Sequence, residues 1–382
     1  MASISLRSLT KRFGTTVAVN NLDLEMEEGE LVALLGPSGC GKTTTLRLIA
    51  GFEEADSGTI SFGGRDVTSL PPERRNTGMV FQNYALFPHL TVAQNVAFGL
   101  EMRKVPKAEI AQRVDAILDK VQLRELADRY PRQLSGGQQQ RTALARALVI
   151  NPAVLLLDEP LANLDAKLRE EMRFYIRSLQ QEFGITTVYV THDQSEALVL
   201  ADRIAVMKDG VLQQVGTPTD IYQRPENAWV ADFIGLTNLV PGVVTDREGS
   251  RVLVETDLGV LAGTGSDGFR TGDRVLLSIR PESLQITRGT DNPHSGGTFD
   301  GAASSQPNRL VGVVRERAYL GNLVDYRIEV GERVRLRVQT APVPSYDVGD
   351  RVVLSFSDDQ AWVVNDEGSV SRGDHRAEAA LA

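Results

Sequence analysis

The segment Gly36-Pro-Ser-Gly-Cys-Gly-Lys-Thr43 constrains the fold more than any other part of the sequence. Its glycines allow the backbone to curl around phosphate groups with the N–H groups pointing inward, and a helix that starts behind it adds a favourable dipole. In such loops the lysine, here Lys42, supplies positive charge to the β- and γ-phosphates, and the hydroxyl of the next residue, Thr43, coordinates Mg²⁺. The segment follows the apolar run Glu30–Leu35 and precedes the helical pattern Thr44–Ala50. It therefore predicts a strand, a phosphate-binding loop and a helix, in that order.

The whole loop is expected to contact the phosphates. Cys40 occupies a variable position of the pattern, where a small filler residue is favoured over a redox switch. The nucleotide-binding residues predicted in this part of the chain are Gly36, Pro37, Ser38, Gly39, Cys40, Gly41, Lys42, Thr43 and Thr44.

The run Val154-Leu-Leu-Leu-Asp-Glu159 ends in two carboxylates. Its apolar residues predict a buried strand whose end presents both acidic side chains. Asp158 is expected to hold Mg²⁺, directly or through water, as in P-loop nucleotidases. Glu159 is placed to orient or deprotonate an attacking water, which is the role of a general base. Together with the phosphate loop, this pair predicts a site that hydrolyses a nucleotide.

Length and composition are those of an ordinary globular protein with room for about two domains. The chain has 382 residues, of which 42% are hydrophobic and 24% charged, and no stretch approaches the roughly 20 apolar residues needed to cross a bilayer. Because the N-terminus has no apolar signal segment and Cys40 is the single cysteine, the chain is expected in the reducing cytosol. A formal net charge of −9 argues against a basic nucleic-acid-binding surface.

Two compositional regimes divide the chain. Up to about residue 235, continuous apolar runs alternate with helical patterns, which predicts an α/β P-loop NTPase domain with a mostly parallel sheet. A helix-rich stretch over about 88–150 is predicted to be an insertion in that domain. From 236 to 365, short β-runs separated by Gly, Asp and Pro predict an all-β, OB-like barrel domain. The residues 290–308 are expected to form a mobile loop, and 366–382 a flexible tail.

The β-rich region contains a weak internal repeat. Leu239-Val-Pro-Gly-Val-Val244 resembles Leu310-Val-Gly-Val-Val314, and Gly272-Asp-Arg-Val-Leu-Leu-Ser278 resembles Gly349-Asp-Arg-Val-Val-Leu-Ser355. The two pairs occur in the same order at similar offsets, which predicts two copies of one β-unit.

A second anion-binding element is predicted at Leu134-Ser-Gly-Gly-Gln138, which opens the helical stretch Gln139–Ile150. Ser135 and the N–H groups of Gly136 and Gly137 can meet an anion at this helix start. Since the first loop already supplies one site per chain, a second element is useful if it faces the nucleotide of another subunit. At this point the sequence resembles the ATP-binding subunits of ABC transporters, in which such a signature completes the partner's site.

That resemblance implies roles for further residues. Phe13 matches the aromatic residue that stacks on adenine, a position that is often Tyr in the family. Gln82 matches the glutamine that ligates Mg²⁺ and senses the transmembrane partner, and Ala162-Asn-Leu-Asp165 matches the loop at the dimer interface, with Ala-Asn in place of the commoner Ser-Ala. His192 matches the histidine that contacts the γ-phosphate. The implied catalytic residues are therefore Glu159 and His192, and the implied Mg²⁺ ligands are Thr43, Gln82 and Asp158.

The resemblance also implies the partners. Each ATP would be sandwiched between one chain's phosphate loop and Ser135–Gln138 of a second chain, so that the protein is a homodimer while ATP is bound. A pair of transmembrane permease subunits would dock beside Gln82, with an extracytoplasmic solute-binding protein acting indirectly, which puts the chain at the cytoplasmic face of the membrane. We expect Tyr84, Leu86 and Phe87 to line the groove that receives a permease helix, internal packing being the alternative.

The C-terminal β-region resembles the TOBE-like regulatory barrel of bacterial importer ATPases. The segments Ile234–Gly242 and Arg317–Asn322 are similar to those of polyamine and iron importers more than to those of sugar importers. A polyamine such as spermidine or putrescine is therefore the favoured solute, with ferric iron next and sugars or phosphonates after it. An exporter ATPase, and a soluble ATPase of the same family acting on ribosomes or DNA, remain as alternatives. The appended barrel argues against an exporter. The soluble ATPases usually carry two cassettes in one chain or a long coiled-coil insertion, and the sequence indicates neither.

Overall fold

The computed structural model describes residues 2–289, 308–331 and 334–366. The chain divides into two compact units, Met1–Thr219 and Asp220–Ala382, whereas the sequence analysis placed a domain boundary at residue 235. The two divisions differ in the segment 220–235. Of the mobile loop expected over 290–308, residues 290–307 lie outside the described residues, and Asn308 begins a strand. Of the tail expected over 366–382, residues 367–382 lie outside the described residues.

The first unit is an α/β structure. Its strands are β1 (Ile4–Phe13), β2 (Thr16–Met26), β3 (Leu31–Leu35), β4 (Ser57–Phe62), β5 (Arg65–Asp66), β6 (Thr77–Val80), β7 (Val154–Asp158), β8 (Thr186–Thr191), β9 (Arg203–Lys208) and β10 (Val211–Gly216). Its helices are α1 (Lys42–Ala50), α2 (Val92–Met102), α3 (Lys107–Lys120), α4 (Gly136–Leu148), α5 (Ala166–Phe183) and α6 (Gln194–Leu200), with short 3₁₀ turns at Pro72–Arg74, Arg124–Leu126 and Pro131–Gln133.

The central sheet has six strands in the order β10-β9-β3-β8-β7-β6. All of its strands except β10 run parallel. The continuous apolar runs of the sequence form β3, β7 and β8, and every residue of these three strands is buried. This agrees with strands that are covered on both faces. A second sheet, β2-β1-β4-β5, is antiparallel, and its apolar side chains share one core with Leu46 and Ile49 of α1.

Between β6 and β7 the chain is helical. Thr91 caps α2 and Ser135 caps α4, each in a reciprocal arrangement in which the side chain of the third helical residue, a glutamine, returns a bond to the cap backbone. Such boxes satisfy backbone N–H groups that a helix start would otherwise leave unpaired. Because of its cap, α4 begins at Gly136, three residues earlier than the helical pattern alone indicated.

The second unit is mostly β-structure. Helix α7 (Pro218–Gln223) spans the division between residues 219 and 220, and α8 (Ala228–Ile234) follows it. There are 3₁₀ turns at Pro281–Ser283 and Asp358–Gln360. The strands are β11 (Asn238–Glu248), β12 (Arg251–Thr256), β13 (Gly259–Thr264), β14 (Arg274–Ile279), β15 (Gln285–Arg288), β16 (Asn308–Tyr319), β17 (Val324–Val330), β18 (Val334–Thr340), β19 (Arg351–Phe356) and β20 (Ala361–Asn365). Strands β11-β12-β13-β20-β14 close into a barrel, and β15-β19-β16-β17-β18 form a five-stranded sheet. The predicted all-β barrel is thus confirmed.

The predicted repeat is confirmed by strand register. Gly242 of β11 lies opposite Val275 of β14, and Gly312 of β16 lies opposite Val352 of β19. The two glycines are needed for the same reason: a Cβ on Gly242 would lie 2.5 Å from the carbonyl oxygen of residue 255, and one on Gly312 would lie 2.7 Å from that of residue 329. In each of the two repeated β-units, a neighbouring strand therefore lies too close to the glycine for any side chain to fit at that position.

No helix in the described ranges combines the length and the apolar character that crossing a membrane requires.

Candidate active site

The residues predicted to act on a nucleotide follow the carboxyl ends of neighbouring parallel strands. The ends of these strands are aligned, with Leu35 of β3 opposite Thr191 of β8, and Val80 of β6 opposite Leu157 of β7. The phosphate loop follows β3, Gln82 follows β6, Glu159 follows β7 and His192 follows β8. Ligands of open α/β sheets bind at this edge, outside the carboxyl ends of the strands.

The phosphate loop has a fixed shape that depends on its glycines. Gly41 has φ of +102° and precedes the first turn of α1, and a Cβ there would lie 2.2 Å from the carbonyl oxygen of Ala18. A Cβ on Gly36 would lie 2.3 Å from the carbonyl oxygen of Met207. Neither position can carry a side chain without moving the backbone. The loop is therefore held against the strands on either side of it.

Lys42 is 5% exposed. Its Nζ donates hydrogen bonds to the carbonyl oxygens of Gly36, at 2.7 Å, and Pro37, at 3.0 Å. The ammonium group thus spans the inner side of the loop. The other loop residues differ in exposure: Pro37, Ser38 and Gly39 are exposed, Thr43 and Thr44 are half-buried, and Gly36, Cys40 and Gly41 are buried.

Cys40 packs inside the loop, with its Sγ 3.7 Å from the Nζ of Lys42. Burial raises the pKa of its thiol above the ordinary value, although the neighbouring ammonium acts in the opposite direction. A buried thiol with a raised pKa is a poor nucleophile, which agrees with its interpretation as a filler residue.

Thr43 and Asp158 bring two hard oxygen atoms together. The Thr43 hydroxyl donates to Oδ1 of Asp158 at 3.2 Å. Burial raises the pKa of Asp158, and the adjacent Glu159 carboxylate raises it further, while the hydroxyl of Thr43 lowers it. A buried carboxylate beside a second one favours a cation, and Mg²⁺ takes oxygen ligands from one or two carboxylates together with substrate phosphates. The donor set therefore fits Mg²⁺.

Glu159 is in contact with His192 and Gln82, two of the residues predicted to have active-site roles. Its Oε2 lies 3.1 Å from Nδ1 of His192 and accepts a hydrogen bond from Nε2 of Gln82 at 3.5 Å. The Gln82 backbone is fixed in turn, because Asn163 donates to its carbonyl oxygen at 2.8 Å. Glu159 has φ of +43°, and a left-handed conformation at a residue other than glycine is a feature that clusters at functional sites.

Phe13 ends β1 at the hairpin that leads into β2. Its side chain is 47% exposed, and the Nζ of Lys11 lies 5.2 Å from its ring centre. An exposed ring beside a cation can accept a flat base by stacking.

Ser135 lies at the N-terminus of α4, where its hydroxyl accepts a bond from the N–H of Gln138 at 3.4 Å while its own N–H donates to the Gln138 side chain at 2.9 Å. Ser135 is exposed. A Cβ on Gly136 would lie 3.0 Å from the side chain of Leu164, and one on Gly137 would lie 3.2 Å from that of Leu168. The glycines therefore allow the signature to pack closely on the segment that starts α5.

The three residues expected to line a groove for a permease helix differ in how far they are buried. Tyr84 is 5% exposed, so it packs inside the protein and does not line a surface groove. Leu86 and Phe87 are half-buried. The segment is held by a cation that the sequence analysis did not single out: Arg146 of α4 donates to the carbonyl oxygens of Tyr84 and Ala85, at 2.8 and 2.7 Å.

A row of arginines on α5, two of which contact the residue after His192, was not predicted from the sequence. Arg169, Arg173 and Arg177 project from α5 at intervals of four residues, and each contacts a carboxylate: Arg169 and Arg173 contact Asp193, and Arg177 contacts Asp202. The four-residue spacing places the arginines on one helix face. That periodicity was the available signal, but the acidic partners lie beyond the helix and could not be paired with it from the sequence.

Comparison with known proteins gives consistent matches. A family model described as ABC transporter matches residues 19–162, and one described as TOBE domain matches residues 277–364. The spermidine/putrescine import ATP-binding protein PotA of Thermobifida fusca (strain YX) is 48% identical, over 95% of this chain and 93% of that protein. The Fe(3+) ions import ATP-binding protein FbpC of Fusobacterium nucleatum subsp. nucleatum is 46% identical, over 96% of this chain and 94% of that protein.

One solved structure is also similar. It is a dimeric ATP-binding cassette in a post-hydrolysis state, bound to ADP and Pi. It has a TM-score of 0.50 and 34% sequence identity, and the match covers 56% of this chain and 98% of that chain.

Proposed function

Because the chain belongs to the ABC transporter family of ATP-binding import proteins, we propose that it hydrolyses ATP to drive a polyamine importer. That it is an ATPase coupled to transport follows from the family and the fold. The residue roles, the partners and the solute are the proposal. The observation that supports the roles best is the contact of Glu159 with both His192 and Gln82 at the edge of the sheet, beside the phosphate loop.

Binding of ATP begins at the phosphate loop. Backbone N–H groups of the loop and the start of α1 receive the phosphates, and Lys42 moves its donors from loop carbonyl oxygens to phosphate oxygens. Phe13 stacks on the adenine ring. Thr43, Asp158 and Gln82 would hold Mg²⁺, which would supply positive charge to the phosphates.

Hydrolysis depends on position and charge. Glu159 orients the attacking water and takes its proton, while His192 donates a hydrogen bond to the γ-phosphate and Lys42 offsets the charge that develops there. Gln82 and His192 both contact the Glu159 carboxylate. These two contacts therefore restrict the rotamers of Glu159, so that the carboxylate is already oriented before the reaction.

The second half of each site comes from a second copy of the chain. The exposed Ser135 at the start of α4, with the N–H groups of Gly136 and Gly137, binds the γ-phosphate held by the partner's loop. The similar solved cassette is a dimer, which supports this arrangement. Loss of the bridging γ-phosphate lets the two copies separate, and this opening drives the permease subunits.

Polyamine is the proposed solute because the spermidine/putrescine relative matches nearly the whole chain. A solute-binding protein outside the membrane would select the solute and deliver it to two permease subunits, and the ATPase would dock on their cytoplasmic side. The match to a ferric iron import protein over an equally long range makes ferric iron the second candidate.

The test is solute uptake in a native host that lacks this chain. Uptake of radiolabelled spermidine, putrescine and ferric iron is measured with the gene deleted, with wild type restored and with Glu159→Gln restored. We expect only wild type to restore polyamine uptake, while iron uptake is the same in all strains. Loss of iron uptake with normal polyamine uptake would assign the chain to ferric iron instead.

Copurification of the tagged chain from membranes tests the transport role itself. A permease pair recovered with the Glu159→Gln variant in ATP would support it. Recovery of ribosomes or nucleic acid without an integral membrane protein would leave the ATPase assignment but contradict the import role.

A further inference from the structure

Arg169 lies in the first turn of α5, directly after the segment Ala162–Asp165. Its backbone N–H donates to the carbonyl oxygen of Asp165 at 2.9 Å, and its Nη2 donates to the carbonyl oxygen of Leu164 at 3.0 Å. The guanidinium group is therefore tied to the end of this segment, and a displacement of the segment moves the group with it.

The same guanidinium reaches towards the turn that carries His192. Its Nη1 lies 4.0 Å from Oδ2 of Asp193, and its Nε lies 4.0 Å from Oε1 of Glu196. Nε is buried and has no hydrogen-bond partner among the described residues. A buried N–H without a hydrogen bond is destabilising. A small movement of the guanidinium group towards the carboxylate would form the missing bond and remove this cost.

Asp193 and Glu196 accept hydrogen bonds from residues on both sides of His192. The Asp193 carboxylate accepts from the N–H of Glu196 at 3.1 Å and so caps α6. The Glu196 carboxylate accepts hydroxyl bonds from Tyr189 and Thr191, both at 2.8 Å. If these two carboxylates move, the residues bonded to them move as well, and the backbone that carries the His192 imidazole is displaced with them.

A cavity of about 60 Å³ lies between these groups, lined by Arg169 and Glu196 together with Glu159 and His192. Its volume is enough for a side-chain movement of the size that the two 4.0 Å gaps require, or for a water that bridges them. The arginine, the general base and the histidine therefore share one small space.

We propose that Arg169 is a positioning residue that couples the segment Ala162–Asp165 to the orientation of His192. When a second copy of the chain displaces this segment, Arg169 closes on Asp193 and Glu196 and sets the imidazole for the γ-phosphate. Hydrolysis is in this way kept slow until the dimer has formed. The inference rests on the proposed role of His192 and is tested so that the two can fail separately.

The test compares the full-length wild type with Arg169→Met, His192→Ala and the double variant, by steady-state ATP hydrolysis. Arg169→Met is expected to lower kcat about ten-fold while KM for ATP changes by less than about two-fold, since the group does not touch ATP. In the His192→Ala background the same substitution is expected to lower the residual kcat by less than about two-fold, because there is no imidazole left to position.

Arg177→Met is the matched control. Arg177 is on the same helix and, like Arg169, contacts an aspartate. Its partner is Asp202, which does not line the cavity. We expect Arg177→Met to lower thermal stability at least as much as Arg169→Met and to leave kcat within about two-fold of wild type.

Three results would overturn the inference: an unchanged kcat in Arg169→Met, an equal fall in kcat with and without His192, or an equal fall in Arg177→Met. A full kcat in His192→Ala would instead remove the proposed role of the histidine, and with it the premise.

Discussion

At the scale of the residue, Glu159 has several features that are expected of a catalytic base. It follows a buried strand, has φ of +43°, and places Oε2 3.1 Å from His192. A short polar contact alone is common at strand ends. The contact with a second catalytic candidate, combined with a backbone conformation that most residues avoid, is what favours a functional role over a structural one.

Glu159→Gln is expected to lower kcat by about 10²-fold or more, because an amide accepts a hydrogen bond but cannot take a proton. The affinity for ATP should stay within about two-fold, since the substitution leaves the phosphate loop intact. Kinetics and equilibrium nucleotide binding measure these two quantities, and gel filtration in ATP should show an accumulated dimer.

The control for Glu159→Gln is Glu171→Gln, which removes an exposed carboxylate on α5. A normal kcat in Glu159→Gln, or a tenfold weaker ATP affinity without loss of kcat, would contradict the assignment of the base.

At the scale of the element, the start of β3 is connected to α5 through one carboxylate. Asp202 accepts the N–H of Leu31 at 2.8 Å and a bond from Arg177 at 3.0 Å. Burial alone would raise the pKa of Asp202, but these hydrogen bonds outweigh it, so its pKa lies below the ordinary value of 3.8. The strand that leads into the phosphate loop is thus held by a group that must be ionised.

Asp202→Asn is expected to lower the free energy of unfolding at pH 7 by about 0.5–1 kcal/mol, a modest value because the carboxylate is partly exposed. A lowered folded-state pKa contributes stability above the unfolded-state pKa, and this contribution is lost as the pH falls through the folded-state pKa. The difference between wild type and variant should therefore be constant from pH 7 to about pH 5 and shrink below pH 3.8.

Urea unfolding at pH 7, 5 and 3.5 measures this difference, under conditions of the same salt concentration. A difference that did not change with pH would mean that the substitution acts through packing rather than through charge.

At the scale of the whole molecule, the segment 220–235 determines where the second unit begins. Arg280 donates to the carbonyl oxygens of Tyr222 at 2.9 Å, Ala231 at 2.9 Å and Gly235 at 3.0 Å. Trp362 donates to the carbonyl oxygen of Pro225 at 3.0 Å. These bonds connect the segment 220–235 to the residue after β14 and to β20, although the change in sequence composition comes only at about residue 236.

A fragment spanning 220–366 is therefore expected to be more stable than one spanning 236–366. The shorter fragment lacks most of the acceptors of Arg280 and the buried side chains of α8, which amounts to a loss of about 2 kcal/mol or more. Thermal and urea unfolding of the two fragments measure the difference. Equal stability would place the boundary at residue 235, as the sequence analysis predicted.

Sequence alone determined the features that depend on neighbours along the chain. The glycines of the phosphate loop prescribe its backbone, the apolar runs of β3, β7 and β8 prescribe burial on both faces, and Gly242 and Gly312 mark two copies of one unit. In each case the information lies within a few residues, because backbone conformation and strand burial are set by local sterics and by local hydrophobic pattern.

Tertiary structure alone decided which distant groups meet. The apolar segment around Tyr84 left a surface groove and internal packing both open, and only the structure shows that this side chain is buried. Likewise, Arg169 finds Asp193 and Glu196 only because α5 packs beside α6, and Arg280 finds Tyr222 across 58 residues of chain. A side chain's partners are fixed by how whole elements pack, and a single sequence carries no direct record of that packing.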